Sequence, residues 1–124
     1  MAWTAQDRYR LAEWGYSLYR EGCHEQAIVV FEALLEASPR DAWTACALAA
    51  NQLALGQILE ALRTLEPFRS DPAARLLRAE TLAIAGNIRE AKAESDGIVA
   101  GYGPAWARLQ LRLRGVHGIA AGSN

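Results

Sequence analysis

Between Leu11 and Pro39 the chain reads LAEWGYSLYREGCHEQAIVVFEALLEASP, and the spacing inside this stretch limits what it can fold into. Leu11, Trp14 and Leu18, and then Ala27, Phe31 and Leu34, follow one another at three- and four-residue intervals. Each set therefore makes one stripe of a helix rather than one face of a strand. Gly22 stands between the two sets, where a helix must end and the chain must turn, a place that favours a residue without a Cβ. Gly15 and Ala27 are small enough to let two antiparallel helices approach closely. Ser38-Pro39 closes the second stripe, because the residue before a proline is pushed out of the helical region.

The pattern recurs. Thirty-four residues on from Gly22, Ala27, Phe31 and Leu34 stand Gly56, Ala61, Leu65 and Phe68, and thirty residues further Gly86 and Ala91 repeat Gly56 and Ala61. The spacing predicts helices at about 5–21, 24–37, 41–54, 57–69, 72–85 and 87–100. Thr4 with Asp7 forms a variant capping box for the first, and Asp41 N-caps the third. Pro67 lies inside the expected fourth helix and should shorten or kink it. Asp71 followed by Pro72 is a favoured opening for the fifth. The departures from regularity are Ala49 where the first repeat has glycine, and Gln52 and Ser95 where large residues are expected. Residues 101–104, GYGP, read as a break, and 105–115 as a seventh helix with Trp106, Leu109 and Leu113 on its apolar stripe.

Written out, the first stretch is large-x2-large-Gly-x2-large, then Ala-x3-Phe, then proline. It resembles the tetratricopeptide repeat (TPR), whose signature is W-x2-L-G-x2-Y…A-x3-F…P. Leu11 and Trp14 exchange the usual order of the two large residues, and Leu18 replaces an aromatic. The resemblance implies an all-α fold: a right-handed solenoid of three TPR-like helix hairpins plus a C-terminal capping helix. Its repeats span about 8–41, 42–71 and 72–103, and its cap about 104–115, all in a single domain of residues 1–115 with a flexible tail at 116–124. Three repeats are about the minimum at which stacked hairpins bury a continuous core.

Composition narrows the function. A net charge of −1 at pH 7 gives no global field to recruit nucleic acid. Arg108, Arg112 and Arg114 make a small basic face that reads as solvated surface. No window of about 18 apolar residues exists to span a bilayer, and the N-terminus lacks a charged-then-apolar leader, so a cytoplasmic protein without membrane insertion is expected. Cys23 and Cys46 read as reduced thiols rather than a bridge. Cys23-His24 is a conceivable metal pair, but no second pair stands at ligand spacing. Gly101 and Gly103 follow no strand and precede no GK[ST], so they are no phosphate loop. Glu32 and Glu36 read as ordinary surface charges. No cofactor, metal or catalytic group is expected, and the chain reads as non-enzymatic.

In TPR arrays the first helix of each pair lines the concave surface. That resemblance implies a groove built from Tyr9, Ala12, Tyr16 and Tyr19 of the first helix, from Trp43, Cys46, Ala50 and Leu53 of the third, and from Leu76, Glu80 and Ala83 of the fifth. The partner-binding set is Tyr9, Ala12, Tyr16, Tyr19, Trp43, Cys46, Ala50, Leu53, Leu76 and Glu80. Arrays that grip acidic C-terminal peptides need Lys, Arg and Asn on this face to bond the carboxylates. Here an aromatic and aliphatic face suits an apolar helical or extended segment of a protein client instead. The alternative is that Cys46, Ala50 and Leu53 are core beneath the C-terminal helix. The run GCHEQAIVVFEALLEASPRDAW…ALGQILEAL further resembles small TPR chaperones of bacterial type III secretion, which hold needle or translocator subunits until export. The resemblance thus implies a chaperone for a secreted client. A scaffold that self-associates, for instance as a homodimer, through the same apolar face is the alternative function.

Overall fold

Helix boundaries follow the capping chemistry. The computed structural model describes residues 3–96, and every element in that range is helical: α1 Ala5–Arg20, α2 His24–Ala37, α3 Ala42–Ala54, α4 Ile58–Leu65, α5 Pro72–Ile84 and α6 Ile88–Asp96. The expected break at 101–104, the seventh helix and the tail lie outside the described residues. At the start of α1 the capping box closes reciprocally. Asp7 N–H donates to Thr4 Oγ1 and Thr4 N–H donates to Asp7 Oδ2, both at 3.0 Å. Thr4 thereby holds the Asp7 carboxyl below its ordinary range, its backbone N–H contributing most. Asp41 receives Trp43 N–H at 3.2 Å and the Thr44 hydroxyl at 2.7 Å, which opens α3. Asp71 Oδ2 takes Ala74 N–H at 3.1 Å over Pro72 in the first turn of α5. Pro67 has the expected consequence: α4 stops at Leu65 and the chain tightens into a 3₁₀ turn at Glu66–Phe68.

Three corners are built alike. Gly22, Gly56 and Gly86 have φ of 78°, 76° and 89°, in the left-handed region that a Cβ disfavours. At each corner the glycine N–H bonds a carbonyl three residues back and the next N–H a carbonyl five residues back. Cys23 N–H to Leu18 O (2.8 Å), Gln57 N–H to Gln52 O (2.8 Å) and Asn87 N–H to Leu82 O (2.9 Å) are the longer-range members. This is the Schellman closure, which satisfies helix-end carbonyls and turns the chain back on itself.

The chain forms two compact units, Met1–Ala74 and Arg75–Asn124, divided within α5. In the first, α1 packs on α2, α2 on α3 and α3 on α4. Its core is a cluster of Ala27, Val30, Phe31, Leu34 and Leu48, with Trp3, Leu11, Ala12 and Leu18 among those packed around it. Gly15 makes room for the α2 ring of Phe31, since a Cβ built there would lie 2.7 Å from Phe31 Cζ. In the second unit Arg75 and Arg78 of α5 both bond Glu94 of α6, at 3.0 and 3.3 Å. Ala79 and Ala91 are fully buried there.

One expectation about packing needs revision, and one departure from the repeat finds its reason. Trp14 is not part of the buried stripe of α1; it is 57% exposed. At about 100° per residue, Leu11, Gly15 and Leu18 cluster on one side and Trp14 falls roughly 70° away from their centre. Its counterpart 34 residues on, Leu48, is buried because α2 precedes α3 and covers it, whereas no described helix precedes α1. The Gln52 departure also has a physical account. Its amide is 7% exposed and Oε1 accepts from the Thr64 hydroxyl at 2.8 Å, so a hydrogen bond to α4 replaces aromatic packing.

Candidate functional site

The α1 residues Tyr9, Ala12, Glu13 and Tyr16 stand at offsets of three, four and seven, one stripe of the helix. Opposite them stands Trp43, the second residue of α3, placed by the Asp41 cap. These five residues line an open, apolar cavity of about 420 Å³. Its three rings are largely bare, with Tyr9 63%, Tyr16 50% and Trp43 53% exposed. Trp43 nevertheless has a fixed backing, meeting the buried Phe31 ring edge-on with centroids 5.9 Å apart. The Tyr9 hydroxyl bonds the Glu13 carboxylate, which pushes its pKa up. Around the stripe, Tyr19 lies 6.3 Å from Tyr16 and 5.7 Å from the His24 ring, and the Arg20 guanidinium sits 5.9 Å from the centre of the Tyr16 ring.

Of the ten residues expected on the groove, four line this cavity: Tyr9, Ala12, Tyr16 and Trp43. Tyr19 extends the aromatic surface beside it. Cys46, Ala50 and Leu53, further along α3, are half-buried and outside the lining. Burial, with Asp71 and Asp41 adding negative charge, raises the Cys46 thiol to about 11, so at neutral pH it is no nucleophile. Leu76 and Glu80 belong to the second unit, where Leu76 is only 5% exposed and Glu80 half-buried. Leu76 thus presents almost no surface of its own.

Sequence reasoning missed Glu13. It is four residues from Tyr9 and three from Tyr16, an offset that already placed it on the stripe, and it adds no polar surface to the cavity. His24 was a candidate metal residue on its neighbour Cys23. Its Nδ1 instead donates to Oδ1 of the buried Asn51 at 2.9 Å, while Asn51 Nδ2 donates to Ala47 O at 2.8 Å. Among the described residues no group of three His, Cys, Asp or Glu could hold a metal ion, and no helix is long and apolar enough to cross a membrane.

Comparison with known proteins bears on the backbone. Neither a scan against protein-family models nor a search of curated proteins finds a match. Among solved structures, the chain aligns with the type III secretion chaperone SycD of Yersinia enterocolitica, determined in complex with a peptide of the translocator YopD. The TM-score is 0.76, with 98% of each chain covered and 22% of residues identical. The fold is TPR-like. At that identity the likeness to SycD is one of fold, and the chemistry of the groove rests on this chain's own residues.

Proposed function

We propose that this protein is a non-enzymatic, cytoplasmic chaperone. In this reading it holds an apolar helical or extended segment of a secreted client, of the type III secretion kind, against the groove face of its first helices. The observation that carries the reading is the bare aromatic cavity of about 420 Å³ between α1 and α3. Exposed rings cost a monomer apolar contact with water and are retained where a partner covers them. Tyr9, Tyr16, Tyr19 and Trp43 give rigid contact area with little rotamer entropy to lose, which suits hot-spot residues. Support for the kind of client comes from the SycD structure, whose partner is a translocator peptide. Residues 1–115 act here as one domain, and Cys46, Ala50 and Leu53, further along α3, extend the client path beyond the cavity.

The test pairs Tyr16→Glu with Tyr19→Glu. Proteins co-purified from the native cell and absent from the double variant define the client, and its expressed segment is then titrated calorimetrically. We expect at least a tenfold loss of affinity, about 1.4 kcal/mol, with the helical circular dichroism unchanged. Binding as tight as wild type would remove the groove from the proposal.

A second reading, self-association through the Trp14 flank of α1 rather than through the groove, is favoured by one observation: Trp14, 57% exposed, occupies the place where Leu48 is buried by a preceding helix. If a second copy covers it, sedimentation equilibrium of the wild type gives a dimer mass that Trp14→Ser reduces to a monomer. A monomer mass for the wild type across the micromolar range excludes this reading.

A further inference from the structure

The hollow that the proposed function assigns to a client is lined by apolar surface alone, although two tyrosines, a glutamate and a tryptophan stand around it. Its depth comes from the fifth lining residue, Ala12. We propose that Ala12 is the specificity-determining residue of the groove: its bare methyl is the floor on which one bulky apolar side chain of the client comes to rest. The inference rests on the groove reading and names what selects the size of the occupant. Three features place the floor there. Tyr9, Glu13, Tyr16 and Trp43 are all exposed, whereas Ala12 alone among the lining residues is half-buried. Ala12 packs against the core cluster of Phe31 and its neighbours, so the hollow reaches down to the core at this point. Tyr9, Ala12, Glu13 and Tyr16, at offsets of three, four and seven, also surround a hole of the kind that takes one side chain from a facing segment.

Magnitudes say what the missing side chain is worth. About 420 Å³ is near the small end of ligand cavities, so it houses one large side chain and parts of its neighbours rather than a whole segment. Each methylene that such a side chain buries strengthens binding about fourfold. An occupant that reaches the floor therefore outbinds one that stops at the rim. The helix itself does not dictate the choice at this position, since alanine and leucine stand together among the best helix formers. In Ala12→Leu an isobutyl group would replace the methyl and rise into the space the occupant needs.

The test titrates N-acetyl-phenylalanine amide and N-acetyl-alanine amide into the full-length protein. The readout is the indole N–H signal of Trp43, assigned through Trp43→Phe. We expect saturable shifts with the phenylalanine amide at about tenfold lower concentration than with the alanine amide. In Ala12→Leu that preference should shrink to about twofold or less, with urea unfolding close to that of the wild type. Ala12→Val should fall between the two, and it carries the test should the leucine unsettle the helix. An undiminished preference in either folded variant overturns the inference and leaves the groove reading standing. Equal binding of the two amides to the wild type also overturns it. No saturable shift with either amide removes both.

Discussion

Phe31→Ala is expected to destabilise the first unit by about 3–5 kcal/mol, the range for deleting a fully buried phenylalanine ring. The ring is 1% exposed and sits at a junction: it belongs to the core cluster, presses against α1 at Gly15 and stands edge-on to Trp43. Its removal therefore leaves a cavity bounded by three helices that cannot all collapse into it. Urea denaturation followed by circular dichroism measures the loss, and a cost below about 1 kcal/mol would show that the ring is not the centre of this core. A second consequence separates packing from function. Trp43 loses its backing, so its fluorescence should shift towards that of a solvated indole even where the variant remains folded.

The second large effect comes from the other side of the same contact. Gly15→Leu is expected to cost about 3 kcal/mol, at the upper end for overpacking, because a Cβ already falls 2.7 Å from Phe31 Cζ and 2.9 Å from Cε1. Helix propensity works in the opposite direction, since leucine is preferred to glycine by somewhat under 1 kcal/mol in a helix interior. The steric cost therefore exceeds the local gain. The decisive measurement is the double variant. With Phe31 already alanine, the leucine at position 15 grows into the space the ring vacated, and the two costs should fall short of additive by at least about 1 kcal/mol. Strict additivity would mean that the two sites do not meet.

Much of the backbone was legible in the sequence because it is written in local chemistry. Glycines 34 and then 30 residues apart marked the corners, and Asp41, Asp71-Pro72 and Pro67 marked starts and a stop. Each acts within a turn of itself, so no knowledge of distant neighbours was needed. The misreadings have the opposite origin. Trp14 looked like core because its spacing to Leu11 is helical, but burial depends on whether another helix covers that flank, and for the first helix of the described stack none does. Gln52, a departure from the repeat, likewise has its reason at a distance, in the bond from Thr64 twelve residues away. The groove was half legible: the resemblance to TPR arrays put Tyr9, Ala12, Tyr16 and Trp43 on one face, and they do converge. Glu13 joins them without adding polar surface to the hollow. Cys46, Ala50 and Leu53 share a helix with Trp43, yet the cavity ends before it reaches them.

Asn51 and Gln52, neighbours near the end of α3, reach in opposite directions: one amide accepts from His24 at the head of α2, the other from Thr64 on α4. Both are nearly inaccessible to water, at 1% and 7% exposure. Rotating α3 about its axis, or sliding it by one residue, would break both bonds and leave buried amides unpaired at about 1–3 kcal/mol each. The helix is therefore clamped in azimuth from both flanks, and Trp43 at its other end inherits that setting. Whatever docks between α1 and α3 meets an indole aimed in advance.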